Sequence, residues 1–276
     1  MKYALDCSTA GTFSDARLLA ELAAEAEEAG WDGFFLWDAV FGRPARLPMV
    51  DPWIALAAIA MQTHRIKIGA MVTPLARRRP WQIARETASL DHLSNGRLIF
   101  GVGLGYQDLD FAAFGEDADA RVRAEKLDEG LQIVAGLWAG RKVVFTGKHY
   151  HVDGVKFLPK PLQTPRIPVW VAGYWPNHRP FRRAARWDGL LPGKVSEQEF
   201  TVDDLRQCLA YVHEQRASSA PFDVAVYGFT PSGAAKAARV VRSWEQAGAT
   251  WWREGIGDWL GSLGRIRARI RSGPPA

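Results

Sequence analysis

Few residues of this 276-residue chain have the type and spacing to do chemistry, and they gather in short stretches. Asp38 ends the apolar run GFFLW. A carboxylate there costs free energy to bury unless it is paired, so it is read either as the partner of a nearby arginine or as a catalytic or cofactor contact. Gly101-Val-Gly-Leu-Gly105 has a GxGxG pattern but lacks a following helix start, so its glycines are read as room for a neighbouring backbone or for a ligand wall. The segment AGYWPNHRPFRR, residues 172–183, sets a glycine, hydrogen-bond donors and arginines at a helix start, where amides and the helix dipole attract an anion. The alternative is a solvated basic helix start. The run Arg77-Arg78-Arg79 has the same two readings, solvated face or phosphate clamp. His149 and His151 alternate as on one face of a strand, yet no third ligand is at hand and no metal is expected. Cys7 and Cys208 lie far apart and are read as free thiols of a reducing cytoplasm.

The elements that must position these residues repeat a simple rhythm. Short apolar runs at 3–7, 33–37, 66–72, 98–102, 169–172, 189–191, 224–229 and 250–252 read as buried strands, each followed by a helical segment. The unit 66–106 shows the pattern best: two apolar runs bracket an amphipathic segment that Pro80 opens and Asn95-Gly96 stops. Eight such units within one chain of this length predict a (β/α)8 TIM barrel as a single domain over residues 1–276. A doubly wound sheet is the weaker alternative, because residues 7–14 carry no phosphate-binding glycine fingerprint. Residues 142–168 break the rhythm with a small hairpin and a proline-rich stretch, read as a short insertion between the fourth helix and the fifth strand.

In a barrel of this kind ligands bind at the C-terminal strand ends. That selects Asp6 and Cys7, Asp38, residues 71–73, 103–106, 173–183, 192–194 and 227–230, and Arg253-Glu254. The set is poor in acid–base pairs and metal ligands but rich in glycine, aromatic rings and arginine, which suits a large flat anionic cofactor better than hydrolysis. A net charge of +5 with arginines spread along the chain gives no nucleic-acid footprint, and no segment is apolar and long enough to span a bilayer. A cytoplasmic protein acting on a small molecule, with neither nucleic acid nor membrane as partner, is the expectation.

These residues resemble the bacterial luciferase-like family of flavin- or deazaflavin-dependent oxidoreductases. The resemblance is carried by GAMVTP at 69–74, Arg79-Pro80, LDHLSNGR at 90–97, GVGLG at 101–105, FAAFG at 111–115, PVWVAG at 168–173 and RAARWDG at 183–189. It implies a (β/α)8 barrel, often dimeric, with a non-proline cis peptide at Met71–Val72 beneath the cofactor ring. It also implies a ring wall of Ala70, Met71, Val72 and Leu104, and a phosphate loop over 173–183 that includes Gly173, Trp175, Asn177, Arg179, Arg182 and Arg183. Trp37, Phe41 and Tyr106, with Trp175, would shield the substrate pocket from water. Many members place a histidine near the end of the second strand. Here the chain reads Trp37-Asp38-Ala39, which leaves Asp38 as the nearby catalytic candidate.

Three functions follow from the resemblance. The first is a monooxygenase-type enzyme that uses reduced FMN, supplied by a separate flavin reductase, and dioxygen to oxidise a small organic substrate. The second is a hydride-transfer enzyme dependent on the deazaflavin coenzyme F420. The third is a non-catalytic flavin-binding member, suggested by the missing histidine. A homodimer is expected in each case.

Overall fold

A computed structural model describes residues 1–40, 47–106, 110–195 and 199–275. Its centre is a parallel barrel. The strands are β1 (Lys2–Cys7), β2 (Gly33–Leu36), β3 (Lys67–Ala70), β4 (Thr73–Pro74), β5 (Phe100–Gly103), β8 (Val169–Tyr174), β9 (Gly189–Gly193), β10 (Asp223–Gly228) and β11 (Trp251–Ile256). They run in the order β3-β2-β1-β11-β10-β9-β8-β5-β4. A parallel bridge between Ile68 and Leu98 closes the ring. Because β3 pairs with β2 while β4 pairs with β5, β3 and β4 are two halves of one barrel strand, interrupted at Met71 and Val72. The eight strands read from the sequence are therefore the eight staves of the barrel.

Among the described residues eight helices accompany them: α1 (Ala16–Glu28), α2 (Pro52–Gln62), α3 (Pro80–Leu93), α4 (Ala120–Trp138), α5 (His178–Ala184), α6 (Val202–Gln215), α7 (Ala234–Gln246) and α8 (Leu263–Arg271). Local chemistry sets their starts. Asp15, Asp51 and Asp119 cap α1, α2 and α4 through their carboxylates, and Thr201 with Asp204 forms a capping box on α6. The final helix begins later than the sequence rhythm suggests, after a short 3-10 turn at Asp258–Leu260. The insertion is a two-stranded antiparallel hairpin, β6 (Val143–Thr146) with β7 (His151–Val155), between α4 and β8. Glu129 fastens it to α4 by accepting from the backbone N–H groups of Lys148, His149 and Tyr150.

Side chains alternate along each strand, so one layer fills the barrel and the next lies above it. The filling layer is Ala4, Phe35, Met71, Ile99, Trp170, Leu191, Ala225 and Trp251. Trp170 meets Phe35 and Trp251 edge to face and Phe35 meets Trp251 at a tilt, with centroids 5.3–6.0 Å apart. The larger core lies outside, between barrel and helices. Arg97, at the end of the LDHLSNGR stretch, is buried and donates to the carbonyls of Ala60, Thr63, Ile66 and Ser94 and to Thr63 Oγ1. It thereby ties the ends of α2 and α3 to the start of β3, satisfying carbonyls that the helix ends leave open.

Candidate functional site

The break in the third barrel strand lies at the C-terminal mouth. The Met71–Val72 peptide is cis, as the resemblance implies. The glycines around it are explained by packing. A Cβ on Gly69 would meet the Ile99 carbonyl oxygen at 2.1 Å, one on Gly101 the Ala70 carbonyl oxygen at 2.4 Å and Met71 Sδ at 2.6 Å, and one on Gly103 the Val72 side chain at 2.6 Å. Gly101 and Gly103 are thus spaces into which the interrupted strand packs, rather than a dinucleotide loop or room kept for a ring. Gly105 differs: its φ of +73° turns the chain out of β5 toward Tyr106. Around the break, Ala70 and Met71 are buried, while Val72, Leu104 and Ala172 are half-buried, leaving a small apolar surface without charge. Thr73 Oγ1 is buried beside it without a hydrogen-bond partner among the described residues.

Asp38 does not stand free at the second strand end. Its side chain is 1% exposed. It pairs with the Arg77 guanidinium, accepts from Arg78 Nη2 at 3.1 and 3.3 Å, and accepts from the Trp53 indole at 3.2 Å. The other side of Arg77 pairs with Asp110, whose second oxygen accepts from the Tyr106 amide at 2.7 Å. A chain of charge therefore runs from the end of β2, through the loop after β4, to the turn after β5. Desolvation raises the Asp110 carboxyl above its usual range, against the lowering effects of the Tyr106 amide and of Arg77. The arginine-partner reading of Asp38 is the one that the contacts favour, since both of its oxygens are occupied by fixed donors. A cleft of about 430 Å³ opens beside this knot, bordered by Met49, Arg78, Gln82 and Glu86.

The proposed phosphate loop divides. Gly173 lets α5 approach β8, since a Cβ there would lie 2.8 Å from Pro180. Asn177 caps α5 by accepting from the Arg179 amide at 3.3 Å. Arg179 and Arg182 are exposed, and neither guanidinium has a partner among the described residues. Arg183 is the exception to the expectation. It is buried, and its Nε and Nη2 hold both oxygens of Asp128 at 2.7 and 2.9 Å, so its fork is already occupied. The Trp175 ring packs against His178, Phe181 and Tyr211 of α5 and α6. Tyr106 is 64% exposed at the mouth, and burial first, then Tyr106, raises the Tyr174 phenol. Phe41 lies outside the described residues. His149 pairs with Glu125 at 2.9 Å while His151 meets Thr146, so the two imidazoles do not converge.

The other half of the mouth holds what the strand pattern left open. Arg253 and Glu254, read as following the last strand, lie within β11, and Arg253 alternates with Trp251 so that it faces the barrel axis. Its Nη1 pairs with Asp6, which faces the axis from β1 and accepts from the Trp37 indole at 2.7 Å. Desolvation raises the Asp6 carboxyl, partly offset by Arg253 and Trp37. Burial and the nearby Asp6 charge push the Tyr227 phenol up as well. A charged residue inside an apolar strand was the available sign that a buried partner exists, but nothing in the sequence gave its position 247 residues away.

With this geometry in view, three comparisons place the chain among known proteins. The family model of the luciferase-like monooxygenases matches residues 5–261. A relative from Gordonia bronchialis, an F420-dependent glucose-6-phosphate dehydrogenase, is 35% identical over 59% of this chain and 48% of its own length. The chain spans between 46% and 63% of the length of the curated relatives it matches. Among solved structures, an F420-dependent secondary alcohol dehydrogenase in complex with an F420–acetone adduct superposes with a TM-score of 0.78 at 16% identity, over 92% of each chain. The monooxygenase RslO1 from Streptomyces bottropensis superposes with a TM-score of 0.70 at 22% identity, over 90% of this chain and 78% of that one.

Proposed function

The chain belongs to the luciferase-like monooxygenase family, and from that premise we propose that it is an oxidoreductase in which a reduced flavin-type cofactor rests on the Met71–Val72 break and acts on a small organic substrate. The observation that carries the reading is the uncharged surface of Val72, Leu104 and Ala172 at the interrupted strand, together with the exposed guanidinia of Arg179 and Arg182, unpartnered among the described residues, on the helix that follows β8. A flat ring needs such a floor, and its anionic tail needs such donors. In this reading Val72 and Leu104 contact the ring, Arg179 and Arg182 hold the phosphate, and Tyr106 covers the site. When bound, the cofactor supplies either a hydride or the activation of dioxygen. The chain's part is to orient, to exclude water and to fix charge, with no role for Asp38 as a base.

Reduced FMN with dioxygen and a separate flavin reductase is the first reading of the cofactor. The deazaflavin coenzyme F420 is the second. It is favoured by the Gordonia bronchialis relative and by superposition over 92–98% of the F420 enzymes, against the 65–78% of the monooxygenase chains that this chain covers. A homodimer remains part of the proposal. Titration of the purified protein with FMN and with F420, followed by ring fluorescence, decides between them. Saturation by F420 alone overturns the first reading, saturation by FMN alone overturns the second, and binding of neither removes both.

A further inference from the structure

Resting on that reading, we infer that Arg253 orients the substrate. We assign the half of the mouth formed by β10, β11, β1 and β2 to an uncharged, flat, apolar molecule that carries one acceptor oxygen, such as an aromatic ketone, and not to a carboxylate. The inference starts from an unspent donor. Arg253 is 7% exposed, Nη1 is given to Asp6 and Nε to the Ala225 carbonyl at 3.2 Å, while Nη2 has no partner among the described residues. A buried guanidinium whose Nη2 N–H groups are open favours an oxygen that can complete it.

The walls around that donor are aromatic. The Tyr227 ring lies under the guanidinium, 5.6 Å from centroid to Cζ. Phe229 meets Tyr227 edge-on at 5.4 Å and meets Trp259 edge-on at 5.8 Å, and Trp259 stacks on Trp37 at 5.8 Å and 20°. Phe229 and Trp259 are 54% and 50% exposed, so much of this ring surface is uncovered. Gly255 stands between them, where a Cβ would come within 2.5 Å of Phe229 and 2.6 Å of the Tyr227 hydroxyl. Ring surfaces with a single polar fixture select flat apolar molecules and fix their orientation.

Charge balance decides the polar end. Asp6 is 1% exposed and already neutralises Arg253. A carboxylate docking on Nη2 would leave a net negative charge against the buried ion pair, whereas a carbonyl or hydroxyl oxygen takes the hydrogen bond without unbalancing it.

The test uses acetophenone and benzoate, which share size and planarity and differ in charge. Binding is followed by tryptophan fluorescence and ligand-observed NMR, on the protein alone and after cofactor titration. The inference predicts saturable acetophenone binding, with benzoate at least about tenfold weaker. In Asp6→Asn, which keeps an acceptor for Trp37 but leaves Arg253 uncompensated, the preference reverses toward benzoate. A merely structural Arg253–Asp6 pair would not produce that reversal. Phe229→Ala, at an exposed ring, weakens acetophenone without unfolding the chain. Equal or tighter benzoate binding to the unaltered protein, no acetophenone binding, or an unchanged preference in Asp6→Asn overturns the inference. Because the probes are read without cofactor too, a failed FMN and F420 titration bears on the proposed function separately.

Discussion

Arg77 lies between Asp38 and Asp110, giving one guanidinium nitrogen to each, and so joins the end of β2 to the turn that presents Tyr106. Removing one member of a buried pair leaves the others uncompensated. Arg77→Met is therefore expected to cost about 3–5 kcal/mol in denaturant unfolding. A loss below about 1 kcal/mol would mean that the knot carries no structural weight.

The two neighbouring arginines of α5 have opposite fates. Arg182→Ala is expected to weaken cofactor binding by about 1.5–3 kcal/mol while leaving the unfolding midpoint in place. Arg183→Ala is expected to lower the midpoint instead, because it removes the buried guanidinium that holds both Asp128 oxygens and leaves Asp128 to the exposed Arg186 at 3.1 Å. Paired measurements of dissociation constant and unfolding on both variants check this, and equal effects on binding would return Arg183 to the phosphate loop.

Gly101→Ala places a methyl group 2.4 Å from the Ala70 carbonyl oxygen. The interrupted strand must shift to admit it, at about 1–3 kcal/mol, the usual range for overpacking. If Val72 is the ring's floor, cofactor affinity falls too. A variant with unaltered stability and affinity would show that the close approach is not needed.

Glu27 accepts from the backbone N–H groups of His64, Arg65 and Ile66 at the turn into β3. Desolvation opposes its ionised form, but these amides outweigh it and hold the carboxyl below its ordinary value of 4.5. The lowered value means that the folded state favours the carboxylate. Its stabilisation is full above about pH 4.5 and is lost as pH falls through the folded-state value. Glu27→Gln is expected to be less stable than the unaltered chain at pH 7, with the gap narrowing in acid. A gap that is constant from pH 7 to the acid range would sink the assignment.

The barrel was legible because each stave is a short apolar run closed by glycine, proline or a capping residue, signals that act over a few residues. The insertion was legible for the opposite reason, since proline and paired short runs fit no stave. The position of Met71, Val72 and Leu104 around the broken strand was legible, because GAMVTP and GVGLG end neighbouring staves, while their role toward a cofactor belongs to the proposal. What local sequence could not tell was which charge meets which. Asp38 and Arg77 were both noticed, yet their pairing depends on barrel closure, as does that of Asp6 with Arg253. Arg182 and Arg183 are adjacent and chemically identical, and only the helix's rotation exposes one and buries the other. The pattern GVGLG allows room for a neighbouring backbone or for a ligand wall, and the structure fills the space at Gly101 and Gly103 with the interrupted strand.

The Asp38–Arg77–Asp110 chain bears on how the mouth can be re-engineered. Loops of a barrel are commonly treated as interchangeable parts, each graftable alone. Here the segments after β2, β4 and β5 share one guanidinium, so they behave as a single replaceable cassette. A donor loop that omits either aspartate would unfasten the rim two loops away. Among the described residues the segments after β10 and β11 share no part of that guanidinium, and Trp259 meets the cassette only through its stack on Trp37, so they are the natural place to vary specificity.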